Sequence, residues 1–290
     1  MKNAFQILAI FFLITSCSSK EQKLIPVKNG DVNIAYHISG KGDTAIVFVH
    51  GWSINKEYWL EEEPTLAKRF TVVALDLAGH GQSGHNRTQW TIENYAKDVI
   101  AVIHQLSLKK VIVVGHSMAG EICLLVATAL PDKVIGLIGI DNLKGFVQRY
   151  TPKEEVQSKE FLQELRTNYD SLSAVFVRQG LFPQNNPDTV SMNRVIRDAR
   201  HMDPDISVGS LESLMYASLQ DSALIGQLNF PVHLIACDPA PDDSALRAIC
   251  KSGYSVRMIH GTGHYPMIEK PVEFTHLLEA TIDDIAKRKN

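Results

Sequence analysis

Ser117 sits in Gly115-His116-Ser117-Met118-Ala119-Gly120, directly after the β-branched run Val111-Ile112-Val113-Val114. Such a run reads as a strand buried on both faces of a parallel sheet. From Glu121 to Ala129 the apolar residues Ile122, Leu125, Val126 and Ala129 have helical spacing, and Pro131 ends the pattern. A strand therefore runs into a helix with almost no loop, and a serine stands at the corner. A corner that tight strains the serine backbone, and bulky neighbours two positions away would collide. Gly115 and Ala119 occupy those positions. A serine hydroxyl is a weak nucleophile near neutral pH. It needs a base within hydrogen-bond reach and an acid to orient that base.

In open parallel sheets, sites gather at the carboxyl ends of the strands. The base is expected on the loop Gly261-Thr262-Gly263-His264, which follows the last strand pattern, Ser255 to Ile259. His264 is the candidate. His260 lies at that strand's own end, and His276 falls inside the last helical pattern. The acid has several candidates. Asp238 ends the strand pattern Val232 to Cys237 and ranks first. Asp141 ends the preceding strand, Val134 to Ile140. Asp242 and Asp243 read as cap and first-turn acid of a following helix. An oxyanion needs two backbone donors. Met118, after the serine, supplies one; Trp52, on the loop after Thr44 to Val49, is expected to supply the other. His50 is expected to fix that loop by a hydrogen bond.

The elements that must position these residues follow in order. Asn29-Gly30 is a hairpin signal between Leu24–Val27 and Val32–Ile38. Ile54 to Arg69 is helix-like, with Pro64 interrupting it. Phe70 to Leu75 is a strand leading into the glycine-rich stretch Asp76-Leu77-Ala78-Gly79-His80-Gly81-Gln82-Ser83-Gly84. Thr91 caps a helix with apolar residues at Ile92, Tyr95, Ala96, Val99, Ile103 and Leu106. Strand and helix alternate up to Asn142, so the fold class is α/β, a mostly parallel sheet covered on both faces. Residues 143–228 then carry helical patterns alone, which reads as a lid inserted between two strands. The division is 24–142 for the first part of the core, 143–228 for the lid and 229–290 for the second part. A last helix runs from about Pro271 to Lys287. No internal repeat or low-complexity segment interrupts this plan.

Four stretches together resemble the α/β-hydrolases, specifically the lid-bearing group of esterases, haloperoxidases and epoxide hydrolases. They are Val47-Phe48-Val49-His50-Gly51-Trp52, the glycine-rich stretch from Asp76, the serine corner, and Gly261-Thr262-Gly263-His264. The resemblance spans most of residues 44–290. It implies the chain order serine, acid, histidine, and some hydrolases of this architecture carry the acid one strand earlier, which keeps Asp141 open. The group's epoxide hydrolases and dehalogenases carry an aspartate at the corner, so Ser117 argues against both. The reaction it implies is cleavage of a carboxylic ester or related acyl compound through an acyl-enzyme. Carbon–carbon bond hydrolysis is a variant on the same residues. A non-catalytic, receptor-like protein binding a small molecule is the alternative from another class.

Composition bounds the rest. The formal net charge of -3 and the lack of a basic run outside the tail argue against a nucleic-acid partner. Eleven histidines occur without a His-Glu-x-x-His or Cys-x-x-Cys pair, so neither a metal nor another cofactor is expected. Lys2 precedes an apolar run from Ile7 to Ile14, too short to span a membrane, followed by Ile14-Thr15-Ser16-Cys17. This resembles a bacterial lipoprotein signal. It implies removal of residues 1–16, a lipid on Cys17, a tether over 17–23 and an exported protein anchored to a membrane. Export makes a disulfide between Cys237 and Cys250 possible, beside the alternative of two separate thiols. The apolar side of the lid, including Phe146, Phe176 and Met215, is expected to shape the substrate pocket or to pack against the core. Arg194, Arg197 and Arg200 read as a solvated helix face.

Overall fold

The structure, a computed structural model, describes residues 26–30, 32–144, 150–241 and 244–287. The expected signal peptide, tether and Cys17, as well as Phe146, Asp242 and Asp243, lie outside the described residues.

Among the described residues, nine strands form two sheets. β1 (Val27–Asn29) and β2 (Val32–Ile34) make a small antiparallel pair around Gly30. The other seven are β3 (Tyr36–Ser39), β4 (Thr44–Val49), β5 (Thr71–Leu75), β6 (Lys110–His116), β7 (Val134–Ile140), β8 (Val232–Cys237) and β9 (Tyr254–Ile259), arranged β3-β5-β4-β6-β7-β8-β9. Only β3 is antiparallel to its neighbour; all other pairs are parallel. The hairpin arm expected over Val32–Ile38 is thus split between two sheets. It breaks at Ala35, whose N–H donates to Ser83 Oγ at 2.8 Å and whose carbonyl accepts from Asp76 N–H at 2.9 Å. With both groups taken by the glycine-rich loop, Ala35 has none left for a ladder.

The central strands show why the sequence runs apolar without alternation. Side chains leave a strand to opposite faces in turn. Ala45, Val47 and Val49 of β4, Val73 and Leu75 of β5, and Val111 and Val113 of β6 enter one core. Ile46 and Phe48, Val72 and Ala74, and Ile112 and Val114 enter the other. Each face needs a helical cover. The first core takes α2 (Ile92–Gln105) and α3 (Ala119–Ala129); the second takes α1 (Glu63–Leu66) and α11 (Pro271–Lys287). Thr91 caps α2 as expected, its Oγ1 accepting from Asn94 N–H at 3.2 Å. The helix expected over Ile54–Arg69 is two short pieces instead, a 3-10 turn at Lys56–Trp59 and α1. Pro64 falls in the first turn of α1, where its missing N–H costs nothing, and the helix cannot extend backward through it.

Between β7 and β8 the described chain forms helices and no strand. α4 (Pro152–Thr167), α5 (Tyr169–Phe176), a π-helical turn (Val177–Leu181), α6 (Thr189–Arg200), α7 (Pro204–Ala217) and α8 (Asp221–Ile225) follow one another. Their starts are written in the sequence. Thr151 and Glu154 form a reciprocal capping box on α4, and Asp188 and Asp203 cap α6 and α7. α7 rests on α2 and α8 on α3, so the insertion is seated on the core helices. Two short helices complete the chain: α9 (Ser244–Ile249) lies between β8 and β9, and α10 (Pro266–Glu269) precedes α11. Cys123, Cys237 and Cys250 are buried free thiols, so Cys237 and Cys250 are not paired. None of the helices among the described residues is long and apolar enough to cross a membrane.

Candidate active site

Ser117 is the turn between β6 and α3, with φ of 52°. A residue with a Cβ enters this left-handed region at a cost of roughly 1–3 kcal/mol, so the surroundings must hold it there. Ser117 N–H donates to the Ile140 carbonyl at 3.0 Å, and the Ser117 carbonyl accepts from Gly120 N–H at 2.9 Å. The Asn142 amide donates to the Gly115 and Ser117 carbonyls at 2.8 and 2.9 Å, clamping both sides of the corner. Gly115 has to be glycine. A Cβ there would stand 2.4 Å from the Ala119 carbonyl oxygen and 2.7 Å from Cys123 Sγ.

His264 lies on the loop after β9 and reaches back across the sheet. His116, next to the serine, donates from Nε2 to the His264 carbonyl at 2.7 Å, and the two rings lie 4.7 Å apart. Burial, then the neighbouring His264, drops His116 to about 3, so it works as a neutral donor. The loop is held from below by Glu269, whose carboxylate accepts from Gly263 N–H at 2.7 Å and Tyr265 N–H at 3.0 Å. From the insertion, the Leu181 carbonyl accepts His264 N–H at 2.8 Å.

The acid that meets His264 is Asp141. His264 Nδ1 lies 2.7 Å from Asp141 Oδ2. Asp141 Oδ1 accepts from Cys237 N–H at 2.8 Å and pairs with Lys144 Nζ at 2.5 Å. Burial opposes ionisation of Asp141, but the hydrogen bond and charge of His264, with Lys144, outweigh it and hold the carboxyl well below the usual range. Like Ser117, Asp141 has a left-handed backbone, φ 50°, at the end of the adjacent strand. The first-ranked acid, Asp238, is displaced. Its carboxylate faces solvent, taking His260 Nδ1 at 2.8 Å and Gly261 N–H at 3.1 Å. The reason is sheet order. β7 lies beside the serine strand and β8 one strand further, and the turn after Cys237 carries Asp238 toward the end of β9.

On the other side of Ser117 the loop after β4 closes in. A Cβ on Gly51 would stand 2.7 Å from His116 Nδ1 and 3.0 Å from Ser117 Cβ, so glycine lets this loop approach the corner. Trp52 and Met118, the expected oxyanion donors, are both buried there. His50 holds the loop as expected. Its Nε2 accepts from Leu77 N–H at 3.0 Å, which leaves the proton on Nδ1 for the Gly51 carbonyl at 2.8 Å. Burial, chiefly, lowers His50 to about 4. Asp76 organises the glycine-rich stretch as a buried acceptor for Lys56 and for Gln82 N–H. The three arginines of α6 are not simply solvated. Arg194 covers the Tyr58 ring at 4.2 Å, Arg197 pairs with Asp198 at 3.3 Å, and Arg200 pairs with Asp170 at 3.3 Å.

The expected residues Ser117 and His264 and the Trp52 loop meet around His116, which touches the His264 carbonyl and the Gly51 backbone. Sequence reasoning missed Asn142, Lys144, His116 and Glu269 as supports. Asn142 directly follows Asp141 and Lys144 lies three residues on, so polar residues close behind a buried strand were the available signal. Among the described residues no group of three or more His, Cys, Asp or Glu side chains gathers as a metal ion would require.

Residues 44–271 match the model of the alpha/beta hydrolase fold family. A "Karrikin insensitive 2 receptor CA" of Petunia hybrida is 25% identical over 262 residues, covering 86% of this chain and 96% of that protein. Among solved structures, a thermophilic esterase from Thermogutta terrifontis superposes with a TM-score of 0.76 at 18% identity, over 90% of this chain and 97% of that one. A bromoperoxidase from Bacillus anthracis gives 0.75 at 18% identity, over 89% and 98%.

Proposed function

We infer that this chain, which belongs to the α/β-hydrolase family, is a hydrolase. From that premise we propose a serine hydrolase that cleaves a carboxylic ester or related acyl compound through an acyl-enzyme. One observation carries the reading: Asp141 meets His264 Nδ1 at 2.7 Å, and the His264 carbonyl is hydrogen-bonded to His116, the neighbour of a serine in a left-handed strand-to-helix corner.

In this reading Asp141 fixes the tautomer of His264, so that Nε2 is the free base. Nε2 takes the Ser117 proton as Oγ attacks the carbonyl carbon. The Trp52 and Met118 N–H groups receive the oxyanion. Collapse breaks the ester bond, and the proton on His264 goes to the departing alcohol. A water deprotonated by His264 then attacks the acyl-enzyme and returns the acid. Lys144 shares the charge of Asp141 and keeps that carboxylate ionised. The same residues would serve a carbon–carbon bond hydrolase. A second reading, small-molecule binding without turnover, draws on the receptor names of two relatives from Petunia hybrida.

The test is a panel of p-nitrophenyl esters of graded chain length with the purified full-length chain. The hydrolase reading expects turnover that Ser117→Ala abolishes while circular dichroism stays unchanged. Turnover that survives in a folded Ser117→Ala would remove Ser117 from the mechanism. Tight ligand binding without turnover would favour the receptor reading.

A further inference from the structure

We propose that the helical insertion holds the oxyanion loop in its working shape, with Ser207 of α7 and Tyr169 of α5 as positioning residues for the Trp52 N–H. This rests on the serine-hydrolase reading. The contacts are specific and buried. The Trp52 indole donates from Nε1 to the Ser207 carbonyl at 2.8 Å, and its ring meets Phe176 edge-on at 5.4 Å. The next residue, Ser53, has φ of 55°, a left-handed conformation disfavoured for a residue with a Cβ. Its hydroxyl lies 2.5 Å from Ser207 Oγ, which lies 2.6 Å from the Tyr169 hydroxyl. Trp52, Ser53, Ser207 and Tyr169 are all buried.

The Tyr169 hydroxyl donates to Ser207 Oγ, with the Ala199 carbonyl also within reach at 2.9 Å. Ser207 and Ser53 share the next hydrogen bond. Three buried hydroxyls are thus linked in a row. Removing any link costs a buried hydroxyl one of its partners. Packing alone would be served by Phe and Ala at these positions and would need no such chain.

The consequence concerns Trp52. Gly51 on one side is wedged against His116 and Ser117. The insertion holds the other two sides, the Trp52 indole and the Ser53 hydroxyl. An oxyanion donor acts only if it is already aimed at the place where charge develops. The insertion therefore sets the rate of the chemical step, beyond any role in covering the site.

The experiment compares wild type, Tyr169→Phe, Ser207→Ala and the double variant Ser207→Ala/Ser53→Gly, all full length. Each is assayed for kcat and KM on one ester and for the Ki of a matching trifluoromethyl ketone, whose adduct carries an oxyanion. Both single variants are expected to lose roughly 10–100-fold in kcat, the range for a misplaced group, with KM little changed. The ketone affinity should fall in step with kcat/KM. Ser53→Gly should return part of the activity, because glycine holds a positive φ without help. Unchanged kcat, a rise in KM alone, or a kcat loss without loss of ketone affinity would each overturn the proposal. Tyr169→Phe removes one oxygen atom and carries the test should Ser207→Ala fail to fold. Wild type without turnover would sink the hydrolase reading and this inference with it. An active wild type with unaltered variants would sink this inference alone.

Discussion

Asp141 and Asp238 look alike in the sequence, each an aspartate ending a buried strand, and the structure gives them different partners. Asp141→Asn removes the charge that steadies His264, and under the proposed mechanism turnover should fall by about 10⁴. Asp238→Asn breaks only an exposed contact with His260 and should leave kcat close to wild type. The two steady-state assays, run side by side, check the assignment; the reverse order would return the acid to Asp238. The corner at Ser117 was legible because a tight strand-to-helix turn forces small residues around it, and Gly115 and Ala119 are there to be read. His264 was legible from its glycine-rich loop after the last strand. Which aspartate meets His264 was not, because two aspartates and the two histidines His260 and His264 can be paired in two ways. Which pairing forms depends on the order of strands in space, and nothing in the local residues encodes it.

At the scale of elements, α3 carries a second feature besides the corner. Glu121 on α3 and Asp221 on α8 are buried and interact, and each has an oxygen without a hydrogen-bond partner. Burial, chiefly, raises both above the usual carboxylate range, and the charge of Asp221 raises Glu121 further. The folded protein then keeps protons that the unfolded chain has released, so stability falls as pH rises above about 4, until the folded pair has also ionised. Asp221→Asn should therefore raise the melting temperature more at pH 8 than at pH 5. Equal shifts at both pH values would show that the pair does not hold a proton. The insertion to which α8 belongs offers its own test. Phe176 packs on Trp52, so Phe176→Ala is expected to change preference among ester chain lengths. A variant that melts earlier with an unaltered ester profile would assign Phe176 to packing alone.

The whole molecule was legible wherever burial decides the pattern. The apolar strands, the helices with capping residues and the break into a helical insertion all follow from residues exchanging water for two cores. The broken element at 54–69 and the split arm at 32–38 were missed because hydrogen bonds from distant loops set them, as at Ala35. The expected lipid on Cys17 is also a property of the whole chain. Cys17→Ser should move the protein from the membrane to the soluble fraction on cell fractionation, and a mutant that stays with the membrane would refute it. The most direct test of the central claim is intact-mass and peptide mapping of the full-length protein after reaction with a fluorophosphonate. A single adduct on Ser117 is expected, formed much more slowly in Asp141→Asn and at the wild-type rate in Asp238→Asn. No adduct, an adduct on another residue, or a rate governed by Asp238 instead of Asp141 would contradict it.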